Sequence, residues 1–249
     1  MGPSTATNGF SGSAAEMRVR FNDTGILQPL IADSGVVNAA TYLPGPGIAP
    51  GSYVSIFGAN LSLGSGSAFT SRLPVSINTV SVSFDVPEAG LSVPGHLIYV
   101  SPRQVNVQVP WELRGQTSVR MKVDIQSASG AVFTVPVTDY SPGIFADSSG
   151  GLAVTRGSTI SLYGTGFGPV NHQPASGDPA PDASSTTLVV PTVTVGGVPA
   201  KVEFSGLAPG YAGLYQVNVT IPPDAPVGLQ QLTVAVNGVA ANSVQLPLQ

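Results

Sequence analysis

The tetrapeptide Gln-Val-Asn-Val occurs twice in this chain, once within Arg103–Pro110 ("RQVNVQVP") and again within Tyr215–Pro222 ("YQVNVTIP"). In an extended chain, successive side chains point to opposite faces, so Val105, Val107 and Val109 share one side while Asn106 and Gln108 take the other. Val217, Val219 and Ile221 repeat the pattern. Each copy closes on a proline, which has no N–H to give a neighbouring strand and therefore ends the ladder. The same half-buried strand is thus written into the chain twice.

The duplication extends beyond these strands. Gly51–Leu61 ("GSYVSIFGANL") aligns with Gly157–Phe167 ("GSTISLYGTGF"), each an alternating apolar run that reaches an aromatic residue and a glycine. The interval to the second Gln-Val-Asn-Val is longer, most simply through the insertion Gly206–Gly213. Further alternation marks Thr79–Phe84, Ser118–Ile125, Thr159–Tyr163, Pro191–Val195 and Gln231–Val236. No stretch carries helical periodicity over a helix-length window, and 30 glycines and 23 prolines punctuate the chain too densely for long helices. Many short strands separated by turn signals predict an all-β chain built as a tandem of two immunoglobulin-like β-sandwich domains. The expected organisation is an N-terminal extension over 1–32, a first sandwich over 33–145 and a second over 146–249.

Composition narrows the functions such a tandem can serve. Charged residues make up only 9% of the chain, well below the roughly 25% usual for soluble domains. The net charge is −4, and basic residues do not cluster beyond Arg114, Arg120 and Lys122, so no nucleic-acid partner is expected. Mean hydropathy is +0.27, yet glycine, proline or polar residues break every apolar run short of the roughly 18 residues that a membrane-spanning helix needs, so no membrane insertion is expected. The absence of cysteine excludes disulfides and thiolate chemistry. Met1–Phe21 lacks the basic start and apolar run of a secretory signal, so for an exported protein the signal is expected to have been removed or omitted.

Several stretches, in order, resemble one family: Asp33–Leu61, Tyr99–Leu113, Ser141–Phe145, Gly157–Val170 and Pro191–Pro222. They are similar to the uncharacterised C-terminal domain of large secreted proteins of Acidobacteria, and more distantly to immunoglobulin-like modules of the IPT/TIG type. The resemblance implies an immunoglobulin-like fold and export to the cell surface or beyond. It carries no catalytic residues onto this sequence. That family sits at the end of long chains, whereas here only residues 1–32 precede it.

Candidate chemistry is sparse. The two histidines, His96 and His172, occupy different positions in the repeat, and Asp178 and Asp182 lie in Gly168–Ser185 without the dense carboxylate spacing of a calcium loop. No metal site or cofactor is therefore expected. No Gly-x-Ser-x-Gly elbow is present, and Gly164–Gly168 lacks the lysine and helix of a phosphate loop. Glu112, Asp124 and Asp139 supply carboxylates that only a shared site would make catalytic. The expectation is a non-enzymatic extracellular structural or adhesive protein that associates with itself or with other surface proteins.

Two binding features remain. Met17, Val19 and Phe21 alternate with polar residues in Glu16–Asn22, an amphipathic strand suited to completing a sheet within the chain or to donation to a second subunit, which would build a filament. Strand edges are commonly guarded by lysines, and here Lys122 and Lys201 are the only two. The alternative is a carbohydrate-binding module that stacks sugars on aromatic rings, with Trp111, Tyr211 and Tyr215 as candidates, although Trp111, following Pro110 at a strand end, is better placed to pack between the domains. The segment Asn171–Thr187, rich in Pro, Ala, Ser and Asp, reads as a mobile surface loop.

Overall fold

The computed structural model describes residue 25, residues 27–145 and residues 153–249. In the first repeat the strands are β1 (Leu30–Asn38), β2 (Tyr53–Ala59), β3 (Gly66–Ser67), β4 (Val80–Val86), β5 (Leu91–Pro94), β6 (His96–Val100), β7 (Gln104–Gln108), β8 (Ser118–Ile125), β9 (Ala128–Ser129) and β10 (Phe133–Pro136). They form one sheet ordered β1-β2-β7-β6-β3 and a second ordered β10-β8-β4-β5. Alternation supplies the core between them. Val54, Ile56, Val105 and Val107 point inward from one sheet, and Val82, Phe84, Met121 and Val123 from the other.

The second repeat contains β11 (Gly143–Ile144), β12 (Thr159–Thr165), β13 (Thr192–Val195), β14 (Val198–Leu207), β15 (Tyr215–Thr220), β16 (Gly228–Val236), β17 (Val239–Ala240) and β18 (Val244–Leu248). Here a single sheet wraps the core. Val198–Ala200 of β14 pair with β13, and Lys201–Leu207 of the same strand pair with β15, so β14 turns the corner between layers. In the first repeat the equivalent strand is divided between β5 and β6 at Gly95, where a Cβ would lie 2.5 Å from Val107 Cγ2 and 2.8 Å from Phe84 Cε2. The chain is therefore all-β, a tandem of immunoglobulin-like sandwiches, as the strand pattern predicts. Among the described residues no helix is long and apolar enough to cross a membrane.

Trp111 joins the two repeats. It follows β7 in the first, yet its ring is 3% exposed and packs in the core cluster of the second. The ring lies against Gly51, where a Cβ would come within 2.1 Å of Cη2. Gly51 also has φ of +79°, so both space and backbone require glycine. The Trp111 backbone N–H donates to Ser176 Oγ at 2.9 Å, and that hydroxyl donates to Glu112 Oε2 at 2.6 Å.

The segment Asn171–Thr187 is held in place, a correction to the expectation of mobility. The Gly177 N–H donates to Gln108 Oε1 at 2.8 Å, its carbonyl accepts from the Leu73 N–H at 2.8 Å, and Asp178 meets Arg72 at 2.7 Å. Elsewhere the segment bonds to the second sandwich, as in Ala180 N–H to the Tyr211 carbonyl at 3.1 Å and Thr187 N–H to the Ser205 carbonyl at 2.9 Å, and to itself, as in Asn171 N–H to the Thr186 carbonyl at 2.8 Å. Composition alone reads such a segment as free because its partners lie far away in sequence.

His96 sits beneath this segment, close enough that a Cβ on Gly177 would meet its Nε2 at 2.7 Å. Burial holds its pKa below the usual imidazole value, opposed by Glu112 and Asp178 and reinforced by Arg72. His96 Nδ1 and Trp111 Nε1 are the buried side-chain nitrogens without a hydrogen-bond partner among the described residues, and both belong to the junction.

Two predictions follow from this junction. Trp111→Ala should cost about 3–5 kcal/mol, as for large aromatic truncations in cores, and should split one calorimetric unfolding transition into two. Because the folded pKa of His96 is depressed, the unfolded chain binds the extra proton first, and stability falls as pH drops through and below the ordinary imidazole value of about 6.5. Melting temperatures taken between about pH 7.5 and 5.5 should decline less steeply for His96→Gln than for the native chain.

Candidate functional site

The outer faces of the duplicated strands carry the same side-chain network twice. Ser55 of β2 stands opposite Asn106 of β7, and Ser161 of β12 stands opposite Asn218 of β15. Ser55 Oγ donates to Asn106 Oδ1 at 2.9 Å, and Gln104 Nε2 donates to the same oxygen at 2.8 Å. Ser161 Oγ and Gln216 Nε2 make the matching bonds to Asn218 Oδ1, at 2.9 and 2.8 Å. The amide oxygen of each asparagine thus receives two donors, which fixes the orientation of its plane.

Aromatic residues flank each network in register. Phe57 lies opposite Gln104, and Tyr163 opposite Gln216. On the third strand Tyr99 is paired with Asn106, and Phe204 with Asn218. Both are reached across an irregularity, between Leu97 and Tyr99 in one repeat and between Val202 and Phe204 in the other. An extra residue at such a bulge bends the strand and re-aims its side chains.

The first sandwich adds a depression. Ile31 pairs with Gly58 and Val36 with Ile56, so Ala32–Gly35 together face the single residue Phe57. Gly35 fits there because a Cβ would meet the Phe57 carbonyl oxygen at 2.5 Å, and Ser34 adopts φ of +56°. A cleft of about 400 Å³ results, lined by Leu30, Ala32, Phe57, Gly58, Ala59 and Arg103. Tyr42, held at φ of +55°, tilts its ring against Phe57 with centroids 6.1 Å apart. A bulky residue at positive φ is uncommon and persists only where its surroundings hold it.

The aromatic residues singled out by sequence do not form a common stacking surface. Trp111 is buried in the junction as described. Tyr215 is fully buried because its parity along β15 matches that of Val217 and Val219; its ring packs on Phe167, and its hydroxyl donates to the Gly168 carbonyl. Burial raises its pKa, as it does for Tyr53, whose hydroxyl donates to the Ala212 carbonyl. Of the three, only Tyr211 keeps an open ring, 58% exposed. Met17, Val19 and Phe21 lie outside the described residues.

The candidate carboxylates are engaged separately. Glu112 accepts from Ser176 at the junction, and Asp124 meets Lys122 at 3.4 Å and accepts from Ser129 at 2.6 Å. Asp139 lines a small depression with Pro50, Trp111, Arg114 and Pro169. Asp182 accepts the Ser184 N–H at 2.8 Å, and bonding to Ser184 lowers its pKa. His172 Nδ1 lies 3.2 Å from the Ser184 carbonyl oxygen. No group of three or more metal-ligating side chains occurs among the described residues.

The aromatic residues beside the networks, Phe57 and Tyr163, are the ones that close the duplicated alternating runs, so the repeat alignment itself marks them. Ser55 and Ser161 occupy matching places in those runs. Tyr99 and Phe204 are harder to find, because the bulges that set them opposite the asparagines leave no plain sign in composition.

No protein-family model and no curated protein sequence matches this chain. Among solved structures it is similar to the SGBP-B of a Bacteroides ovatus mixed-linkage glucan utilization locus, determined in complex with a mixed-linkage heptasaccharide, at 13% identity over 89% of this chain and 47% of that one, with a TM-score of 0.39. It is also similar to an SGBP-B from a complex xyloglucan utilization locus of Bacteroides uniformis, at 16% identity over 88% of this chain and 48% of that one, with a TM-score of 0.30. A tandem of immunoglobulin domains from titin matches at 8% identity over 81% of this chain and 90% of that one, with a TM-score of 0.23. The chain spans about half the length of the two Bacteroides proteins. At these identities the likeness concerns fold alone.

The two networks differ in burial, which makes them separable by mutation. Ser55 is fully buried, whereas Ser161 is exposed. Asn218→Ala should cost about 1 kcal/mol in urea unfolding, the usual net value of a hydrogen bond. Asn106→Ala should cost more, about 1–3 kcal/mol, because it strands a hydroxyl away from water.

Proposed function

We propose that the chain is a non-enzymatic structural or adhesive protein of the cell surface or extracellular space, as its resemblance to the C-terminal domain of secreted Acidobacteria proteins implies. The observation that carries this reading is the junction. Trp111 from the first sandwich fills the core of the second, and the segment around Gly177 bonds back to Gln108 and Leu73. The two sandwiches are thereby set at one mutual orientation, as suits a unit that bears or spaces other surfaces.

Self-assembly is the finer part of the proposal. A cleft of about 230 Å³ opens between β1 and β10, where the two sheets of the first sandwich part, and Val36, Ile48, Val54, Phe133 and Val135 are among its lining residues. An incoming strand with alternating apolar side chains fits such a gap, and Glu16–Asn22 carries Met17, Val19 and Phe21 in that alternation. Burying each contributes roughly 1.5–3 kcal/mol before the entropy of ordering is subtracted. Donated head to tail, the strand would link subunits into an open filament.

Sedimentation velocity tests this. The intact chain should form species larger than a monomer as concentration rises, while removal of residues 1–24 or the change Val19→Asp should give folded monomers. An intact chain that stays monomeric at high concentration would sink the filament and leave an adhesive tandem. A second reading, carbohydrate binding, is favoured by one observation: the cleft beside Phe57, next to amides fixed in orientation.

A further inference from the structure

We propose that the outer sheet faces around Phe57 and Tyr163 are two corresponding binding sites for a neutral polysaccharide, an inference that rests on the carbohydrate-binding reading and assigns it a place. Its first support is the hydrogen-bonding capacity left over by the networks. Asn106 Oδ1 and Asn218 Oδ1 are each occupied by a serine and a glutamine donor. Each asparagine keeps an NH₂ group, and each glutamine keeps a carbonyl oxygen, for partners outside the network. A donor and an acceptor held side by side match the vicinal hydroxyls of a sugar, each of which both gives and accepts a hydrogen bond.

The second support is the apolar surface set in register with those amides. Phe57 and Tyr163 are two ladder positions from the asparagines, the next place on the same face, and Tyr163 is 44% exposed. A sugar ring has polar edges and a C–H face, so a recognition surface for it pairs fixed amides with an aromatic face. At Phe57 the irregularity of β1 adds an open depression of about 400 Å³ to this surface. Tyr42 is kept against Phe57 at a backbone conformation that its side chain disfavours.

Duplication selects a polymer over a free sugar. The same Ser–Asn–Gln network and the same neighbouring aromatic positions recur on a second sandwich joined to the first through the Trp111 junction. Two weak sites on one body gain by binding a single long ligand, because the second contact forms at high effective concentration. The charge at the two faces favours a neutral chain. Arg103 borders only the first, and beside the second Lys201 is paired with Glu203 at 3.0 Å.

Affinity electrophoresis of the whole chain through gels containing hydroxyethylcellulose, galactomannan or soluble starch, with polygalacturonate as the acidic counterpart, tests the assignment. At least one neutral polymer should retard the native chain. Phe57→Ala and Tyr163→Ala should each weaken that retardation about tenfold, a change equivalent to ~1.4 kcal/mol, and the double variant should abolish it. Thermal melts identify folded variants, and because Tyr163 is the more exposed ring, Tyr163→Ala keeps the test valid if Phe57→Ala does not fold. Retardation that survives in the folded double variant would overturn these sites while leaving carbohydrate binding intact. Retardation by polygalacturonate alone, lost on Arg103→Ala, would overturn the neutral ligand. No retardation by any polymer would overturn both the sites and the reading on which they rest.

Discussion

The antiparallel pairing of β2 with β7, repeated by β12 with β15, is the constraint from which the rest of the molecule follows. Valine, isoleucine and leucine fill the inner side of each ladder, and serine, asparagine and glutamine lie on the outer side. A slip of one residue would turn every side chain to the opposite face, sending amides into the core and valines into water. The register is thus held twice over, by apolar burial inside and by the Ser–Asn–Gln bonds outside. With so few charges available, amide networks set the register that ion pairs help to set on other sheets.

The repeats diverge at one row of that ladder. In the first sandwich the row contains Tyr53, Gln108 and His96 in register, and in the second it contains Thr159, Thr220 and Lys201. The first row is covered by the second sandwich: the Tyr53 N–H donates to Thr165 Oγ1 at 2.6 Å, and Gln108 accepts from Gly177. The corresponding threonines bond to each other at 3.0 Å, and Thr220 Oγ1 also donates to Glu203 at 2.9 Å. Larger, longer-reaching groups mark the copy that became an interface, while short hydroxyls satisfied locally mark the copy that did not.

What the sequence makes legible is what depends on neighbours along the chain. Alternation places Val105, Val107, Val217 and Val219 in cores, and the same parity, applied to Tyr215, would have placed that ring inside with the valines. Trp111 is legible only in part: its place after Pro110 at a strand end points to packing between the domains, but its particular partners belong to the other repeat, whose own chain has Pro223 at the corresponding place after its Gln-Val-Asn-Val strand. The segment from Asn171 to Thr187 resists such reading for the same reason, since Arg72, Leu73 and Gln108 lie far upstream. The outer networks fall between these cases. Glutamine and asparagine are visible in both copies, but that they bond to each other and to a serine on the next strand depends on strand pairing that the sequence does not state.

Trp111 is the only tryptophan in the chain, and it lies where the two sandwiches meet. Its indole therefore serves as a built-in optical gauge of their contact. Closed, the ring sits in an apolar cage against Gly51 and emits as a shielded chromophore; parted, it meets water and its emission shifts to the red. Mechanical tension, acid or a ligand gripping both sandwiches would each register in the same signal, without any label added to the protein.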